Sequence, residues 1–256
     1  MKKTIVVKGP ALSRSGYGEQ TRFALSALRA YEEYFDIYLI NLPWGRTGQV
    51  TSHTEEVKWI HQLLQKTAHA VKANSLTSPD LSLQVTIPAE FEKMAQTNVG
   101  YTAGIETTKV SAQWIGKSNE NIDRIITTSE HAKNVFDNTR VTVKDQNGNE
   151  HPNYGLQKPT VVVNYPVNQY EPDSDGLDIP FETTKNFLCV AQWGPRKNLE
   201  NTIRWFIEEF KDDADVGLVL KTNTISDCVK DRETTTSRLE HLLNNTSEDR
   251  KCKIYL

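Results

Sequence analysis

The chain has 256 residues, of which 37% are apolar and 25% charged, with a net charge of -3 and a mean hydropathy of -0.56. That length supports one large α/β domain or two smaller ones. The slightly acidic balance, without a basic stripe interleaved with aromatics, argues against a nucleic-acid binder held by phosphate contacts, and no apolar run reaches transmembrane length.

In chain order, MKKTIVVKGP begins as a secretory leader does, but its apolar run stops at Lys8. That is too short for such a segment, so TIVV is read as a first strand. The stretch SRSGYGEQ then places Gly16 and Gly18 between that strand and a helix over about residues 19–31. Two readings stay open here. The glycines serve a turn that needs positive φ, or they let backbone N–H groups approach an anion at a helix N-terminus. DIYLINL reads as a strand over residues 36–42. A helix follows over about 54–72, with Val57, Ile60, Leu64 and Val71 on one face and Ser52 and Glu55 at capping-box spacing. LSLQVTIP, residues 81–88, alternates apolar and polar, so one face is expected to be wetter. Short strands at 98–104 and 124–129 are each followed by a helix, near 107–117 and 130–138.

The rhythm then changes. Residues from about 140 to 160 read as a hairpin around QNGN at 146–149, before the buried-strand pattern TVVVNYP. Residues 168–184 are rich in Pro, Asp and Gly and read as a linker. After it come a strand at 186–192, a helix at 198–210, a strand at 216–222 and a helix at about 233–245. Leu199, Ile203, Phe206, Ile207 and Phe210 form an apolar stripe on the first of these helices, with Asn198 as its N-cap. Such alternation predicts an α/β protein of two Rossmann-like domains, 1–167 and 185–256, with parallel sheets covered by helices. Ile254, Tyr255 and Leu256 read as a third strand of the second domain, cut off partway, so that domain is expected to be incomplete. Cys189, Cys228 and Cys252 are odd in number and form no C-x-x-C. They read as buried thiols in a reducing compartment, hence a cytoplasmic protein.

Several chemistries have no signature. There is no clustered His/Cys metal spacing, no G-K-[ST] phosphate loop, no third glycine of a dinucleotide fingerprint and no G-x-S-x-G elbow. The turn VAQWGPRKNLEN carries Gly194, Arg196 and Lys197 where the 198–210 helix begins. Cations at a helix N-terminus oppose its dipole by ~0.3–1 kcal/mol each. Either they point into solvent, or an anion held between them and the helix N–H groups turns the conflict into a binding site.

The block GYTAGIETTKVSAQWI…NIDRIITTSEHAKNVF resembles the acceptor-domain core of GT-B fold glycosyltransferases, the large retaining family 4 group. VAQWGPRKNLENTIRWF is similar to the start of that family's donor domain, and SGYG to the glycine-rich loop after its first strand. The resemblance implies transfer of a sugar from a nucleotide-sugar donor bound between two domains to an unspecified glycan, lipid or protein acceptor. It implies no cofactor or protein-bound metal. It assigns Glu106 as the catalytic carboxylate and Gly16, Gly18, Arg196 and Lys197 as diphosphate ligands. Ser15, Tyr17, Ser129, His131, Gln192 and Lys221 become cleft contacts. Gln192 stands where the family usually has arginine, and the family's acidic sugar-binding segment lies beyond Leu256. A non-catalytic GT-B-like binding module is therefore the rival reading, and an inactive fragment the expectation for the chain alone. No nucleic-acid partner is implied, and peripheral membrane contact is compatible with this reading.

Overall fold

In the computed structural model, residues 2–256 are described apart from 46, 145–146, 170, 172–178, 227 and 247–248. β-Branched residues at the centre of β1 (Lys3–Gly9) favour the extended chain, and Ile5, Val6 and Val7 are buried on both faces of a sheet. The succession continues as α1 (Gly16–Arg29), β2 (Phe35–Asn41), α2 (Glu55–Lys72), β3 (Leu81–Val85), β4 (Thr97–Thr102), α3 (Ala112–Asn121), β5 (Arg124–Thr127) and α4 (Glu130–Asn138). Then come β6 (Val141–Lys144), β7 (Glu150–Tyr154) and β8 (Thr160–Val162). The six-stranded sheet has the order β2-β1-β3-β4-β5-β8 and is parallel throughout. Helices flank it, as strand–helix alternation requires. β6 and β7 pair antiparallel beside it. Two residues of the hairpin turn, 145 and 146, lie outside the described residues, as do residues 170 and 172–178 of the 168–184 linker.

The second part of the chain contributes β9 (Lys185–Gln192), α5 (Leu199–Phe210), β10 (Val216–Asn223), α6 (Val229–Asn244) and β11 (Lys253–Tyr255). Its three strands are parallel in the order β11-β10-β9. By contacts the chain divides into two units: residues 1–45 with 49–168, and 46–48 with 169–256. Each has its own core. In the second, alternate β10 residues Val216, Leu218 and Leu220 meet Ile203 and Ile207 of α5 and Leu239 and Leu242 of α6.

Several local expectations change. α1 starts at Gly16, so both glycines lie inside its first turn, and neither has positive φ. α2 is capped by Thr54, whose hydroxyl accepts from Val57 N, and not from Ser52. Its buried face is Val57, Ile60, Leu63 and Thr67, while Val71 is exposed, because the stripe follows the helical period rather than every apolar residue. α3 begins at Ala112, capped by Ser111, later than the sequence suggests. The polar face of β3 is not wet. Ser82 and Gln84 are buried: the Glu92 backbone both accepts from and donates to the Gln84 amide, and the Ser82 hydroxyl donates to Asn98 Oδ1. Cys252 is buried but Cys228 is exposed.

Candidate functional site

Open parallel sheets bind ligands at the carboxyl ends of their strands, in the crevice where strand order reverses. In the first unit that crevice lies between β1 and β3. Ser15 caps α1 there and accepts from Gly18 N at 3.1 Å. A Cβ on Gly16 would meet nothing within 4 Å, whereas one on Gly18 would lie 2.0 Å from the Ser13 carbonyl oxygen. Gly16 therefore borders open space, and Gly18 lets the helix start press against the loop before it. Tyr17 ties this turn to the end of β4: its hydroxyl bonds to the Thr102 hydroxyl at 2.8 Å and accepts from Ala103 N at 3.2 Å. Burial pushes the Tyr17 phenol above its ordinary value, against those hydrogen bonds.

The end of β5 joins the same edge. Thr128 donates to the Ala103 carbonyl, and Ser129 caps α4 by accepting from Ala132 N. His131 is exposed, with its ring nitrogen 3.2 Å from the Thr107 carbonyl. Gly104 has φ of +81°, and a Cβ there would sit 2.4 Å from that of Ala132. Only glycine fits that bend, which carries the chain to Glu106. Glu106 is exposed in the loop before α3, six residues ahead of the first helical residue, Ala112. At that distance its carboxylate gains nothing from the dipole of the first turn. Ser15, Gly16, Tyr17 and Gly18 thus gather with Thr102, Ala103 and Ser129 at one end of the sheet. The sequence reading passed over Thr102 and Gln20. Gln20 is 1% exposed on α1, and neither amide atom has a hydrogen-bond partner. It lies beside the Tyr101 phenol outside hydrogen-bonding geometry.

In the second unit the chain leaves β9 at Gln192, whose amide donates to the Thr224 carbonyl at 3.1 Å. Residues Pro195–Lys197 form a single 3-10 turn, and Asn198 then adopts the left-handed conformation with φ of 51°. Its side chain does not cap α5, correcting the expected N-cap: Asn198 Oδ1 accepts from Asn201 Nδ2 instead. The first N–H groups of α5 are left without a side-chain cap. Arg196 and Lys197 are exposed on the turn, and a Cβ on Gly194 would meet open space. Beside it is a cavity of about 250 Å³ whose lining includes Trp193, Asn198, Glu200 and Arg238. Trp193 is 4% exposed, and its indole N–H points toward Glu200 without making a hydrogen bond. Arg238 lies 4.7 Å above the indole ring and bonds Glu200 at 2.7 Å, which holds that carboxyl below its usual value. Trp193 and Arg238 carried no sequence signal, because their proximity depends on α6 packing beside the turn. Lys221 is exposed on β10, paired in register with Val190 of β9.

Among the described residues no His, Cys, Asp and Glu group could hold a metal ion, and no helix is long and apolar enough to cross a membrane. No protein-family model matches the chain, and no curated protein matches it.

Proposed function

We propose that the chain is a glycosyltransferase of GT-B type that uses a nucleotide-sugar donor, with the donor's diphosphate held at the turn after β9. The observation that carries this reading is the turn itself. Gly194 borders open space, Arg196 and Lys197 are exposed, and α5 starts without a side-chain cap, all at the carboxyl end of a parallel strand. Uncapped helix N–H groups and two cations are what a diphosphate's oxygens accept from. When the bond from the sugar's anomeric carbon to the diphosphate breaks, negative charge develops on the leaving oxygen, and these groups stabilise it. In this reading Glu106 orients the acceptor hydroxyl or the sugar.

The binding-module reading is kept for one observation. Gln192 stands where the resembled family has an arginine, and its amide is engaged by the Thr224 carbonyl. Calorimetric titration with UDP, GDP, ADP and NAD tests both. Binding of a nucleoside diphosphate but not of NAD supports the donor site. Lys197→Ala is expected to weaken it by about 1.5–3 kcal/mol, the scale of a hydrogen bond to a charged group, with the fold retained because the side chain is exposed. Equal affinity in the variant would rule out the donor-site assignment, and binding of none of the four ligands favours the module.

A further inference from the structure

We propose that Arg238, on α6, is a positioning residue of the donor turn, cancelling the charge of Glu200 beside the place where the diphosphate sits. That role rests on the donor-site reading and adds to it a residue that acts through another side chain. Glu200 is the second residue of α5, so its carboxylate belongs to the first turn. The N–H groups of that turn carry no side-chain cap and are the ones offered to the diphosphate. Glu200 also lines the cavity of about 250 Å³ that Gly194 and Asn198 border. An ionised carboxylate there draws on the same positive helix end and repels an incoming anion.

Arg238 meets that carboxylate in a fixed geometry. Its Nη2 and Nε donate to Glu200 Oε1 at 2.7 and 3.3 Å. Its guanidinium carbon lies 4.7 Å above the centre of the Trp193 ring. Trp193 is itself held: it is buried, and its backbone N–H donates to the Asn223 carbonyl at 2.8 Å. A guanidinium stacked on a ring and bonded to a carboxylate keeps one orientation, which a flexible ammonium does not. The hydrogen bond from Arg238 holds the Glu200 carboxyl below its usual value, with Arg204 adding a weaker pull, so the carboxylate is ionised at neutral pH and needs its partner. Paired, Glu200 and Arg238 sum to no net charge. The positive ends offered by Arg196, Lys197 and the start of α5 then act on an anion without that opposition.

The test is calorimetric titration of the whole chain with UDP, GDP and ADP at low and at high salt. It compares the parent with Lys197→Ala, Arg238→Met, Arg238→Lys, Glu200→Gln and the double variant Arg238→Met with Glu200→Gln, with melting temperatures taken on the same samples. Arg238→Met leaves the carboxylate uncompensated and is expected to bind the nucleoside diphosphate about fivefold or more weakly at low salt, a deficit that shrinks as salt screens it. Arg238→Lys keeps the charge and binds more tightly than Arg238→Met. Glu200→Gln binds as tightly as the parent or more tightly. The double variant regains the parent's affinity, because its local charge sums as in the parent, although the contact between α5 and α6 is still missing. A merely structural role for Arg238 gives the reverse, with the double variant as weak as Arg238→Met. The proposal is overturned if Arg238→Met binds like the parent, if Glu200→Gln binds more weakly than the parent, or if the double variant stays as weak as Arg238→Met. Where Arg238→Met does not melt cooperatively, Glu200→Gln decides. Each of these failures leaves the donor turn standing as long as binding by the parent depends on Lys197. Binding of none of the three by the parent, or binding indifferent to Lys197, removes the donor turn and this role with it.

Discussion

Gly16 and Gly18 stand two residues apart in the first turn of α1, yet a side chain meets different surroundings at each. At Gly18 the added methyl overlaps the Ser13 carbonyl oxygen, a backbone atom that cannot swing aside. Gly18→Ala is expected to cost about 1–3 kcal/mol, the scale of overpacking. Gly16→Ala meets open space and is expected to leave stability unchanged or slightly raised, since alanine restricts the unfolded chain. Urea denaturation of both variants checks this, and equal losses would show that the turn is not built as described. If the loop also faces a phosphate, Gly16→Ala weakens nucleotide binding without a stability change. Gln20 makes the opposite case. Its amide is buried and unpaired, so Gln20→Met, similar in volume, is expected to stabilise by about 1–3 kcal/mol, the desolvation penalty relieved. A loss of stability instead would mean that the amide has a partner in solution, such as a bound water.

At the scale of elements, β3 and β4 are held by a buried polar seam as much as by apolar contact. Asn98 is 1% exposed, and its side-chain oxygen accepts from Ser82 Oγ, Met94 N and Ala95 N, while its amide nitrogen donates to the Ala95 carbonyl. Gln84 closes a reciprocal pair with the Glu92 backbone, and Lys8 reaches the Glu90 carbonyl and the Glu92 carboxylate. Asn98→Ala strands several of these groups together, so a loss of about 3 kcal/mol or more is expected in chemical denaturation. Ser129→Ala, which removes one cap of α4, is expected to cost only about 1 kcal/mol. In the second unit Arg238 lowers the Glu200 carboxyl, which ties α5 to α6. A depressed carboxyl contributes stability above its unfolded value near pH ~4.3, and that contribution is lost as pH falls through its lower folded value. Glu200→Gln should therefore flatten the dependence of melting temperature on pH between about 5 and 3. A variant curve parallel to the parent's would exclude the pair as its source.

On the scale of the whole molecule, the cores do not mix. The cluster around Trp193, Ile203, Leu218 and Leu239 belongs wholly to the second unit, and those around Ile5 and Leu39, Phe91 and Phe136, and Val85 and Tyr101 to the first. A unit with its own buried core can unfold on its own. Residues 1–168 expressed alone are expected to keep a cooperative thermal transition by circular dichroism. A broad, non-cooperative melt would show that the first unit depends on the rest of the chain.

The alternation of apolar runs with amphipathic segments was enough to give the α/β class, the parallel sheet and most helices, because a strand's burial and a helix's stripe are local periodicities. Leu199, Ile203, Phe206 and Ile207 were legible as one buried face for that reason. The sequence also showed the glycine-bearing turns after β1 and β9. It did not show what those turns meet. Whether a methyl at residue 16 or 18 finds space or a carbonyl depends on the path of residues 10–13, and the partners of the buried Ser82 and Gln84 come from Asn98 and the Glu92 backbone. Trp193 meets Arg238 only because α6 packs beside the turn. Spacing along a chain records what one element presents. Which groups face one another across two elements is set by packing, and such pairings, like that of Trp193 with Arg238 and Glu200, decide the chemistry of the candidate site in the second unit.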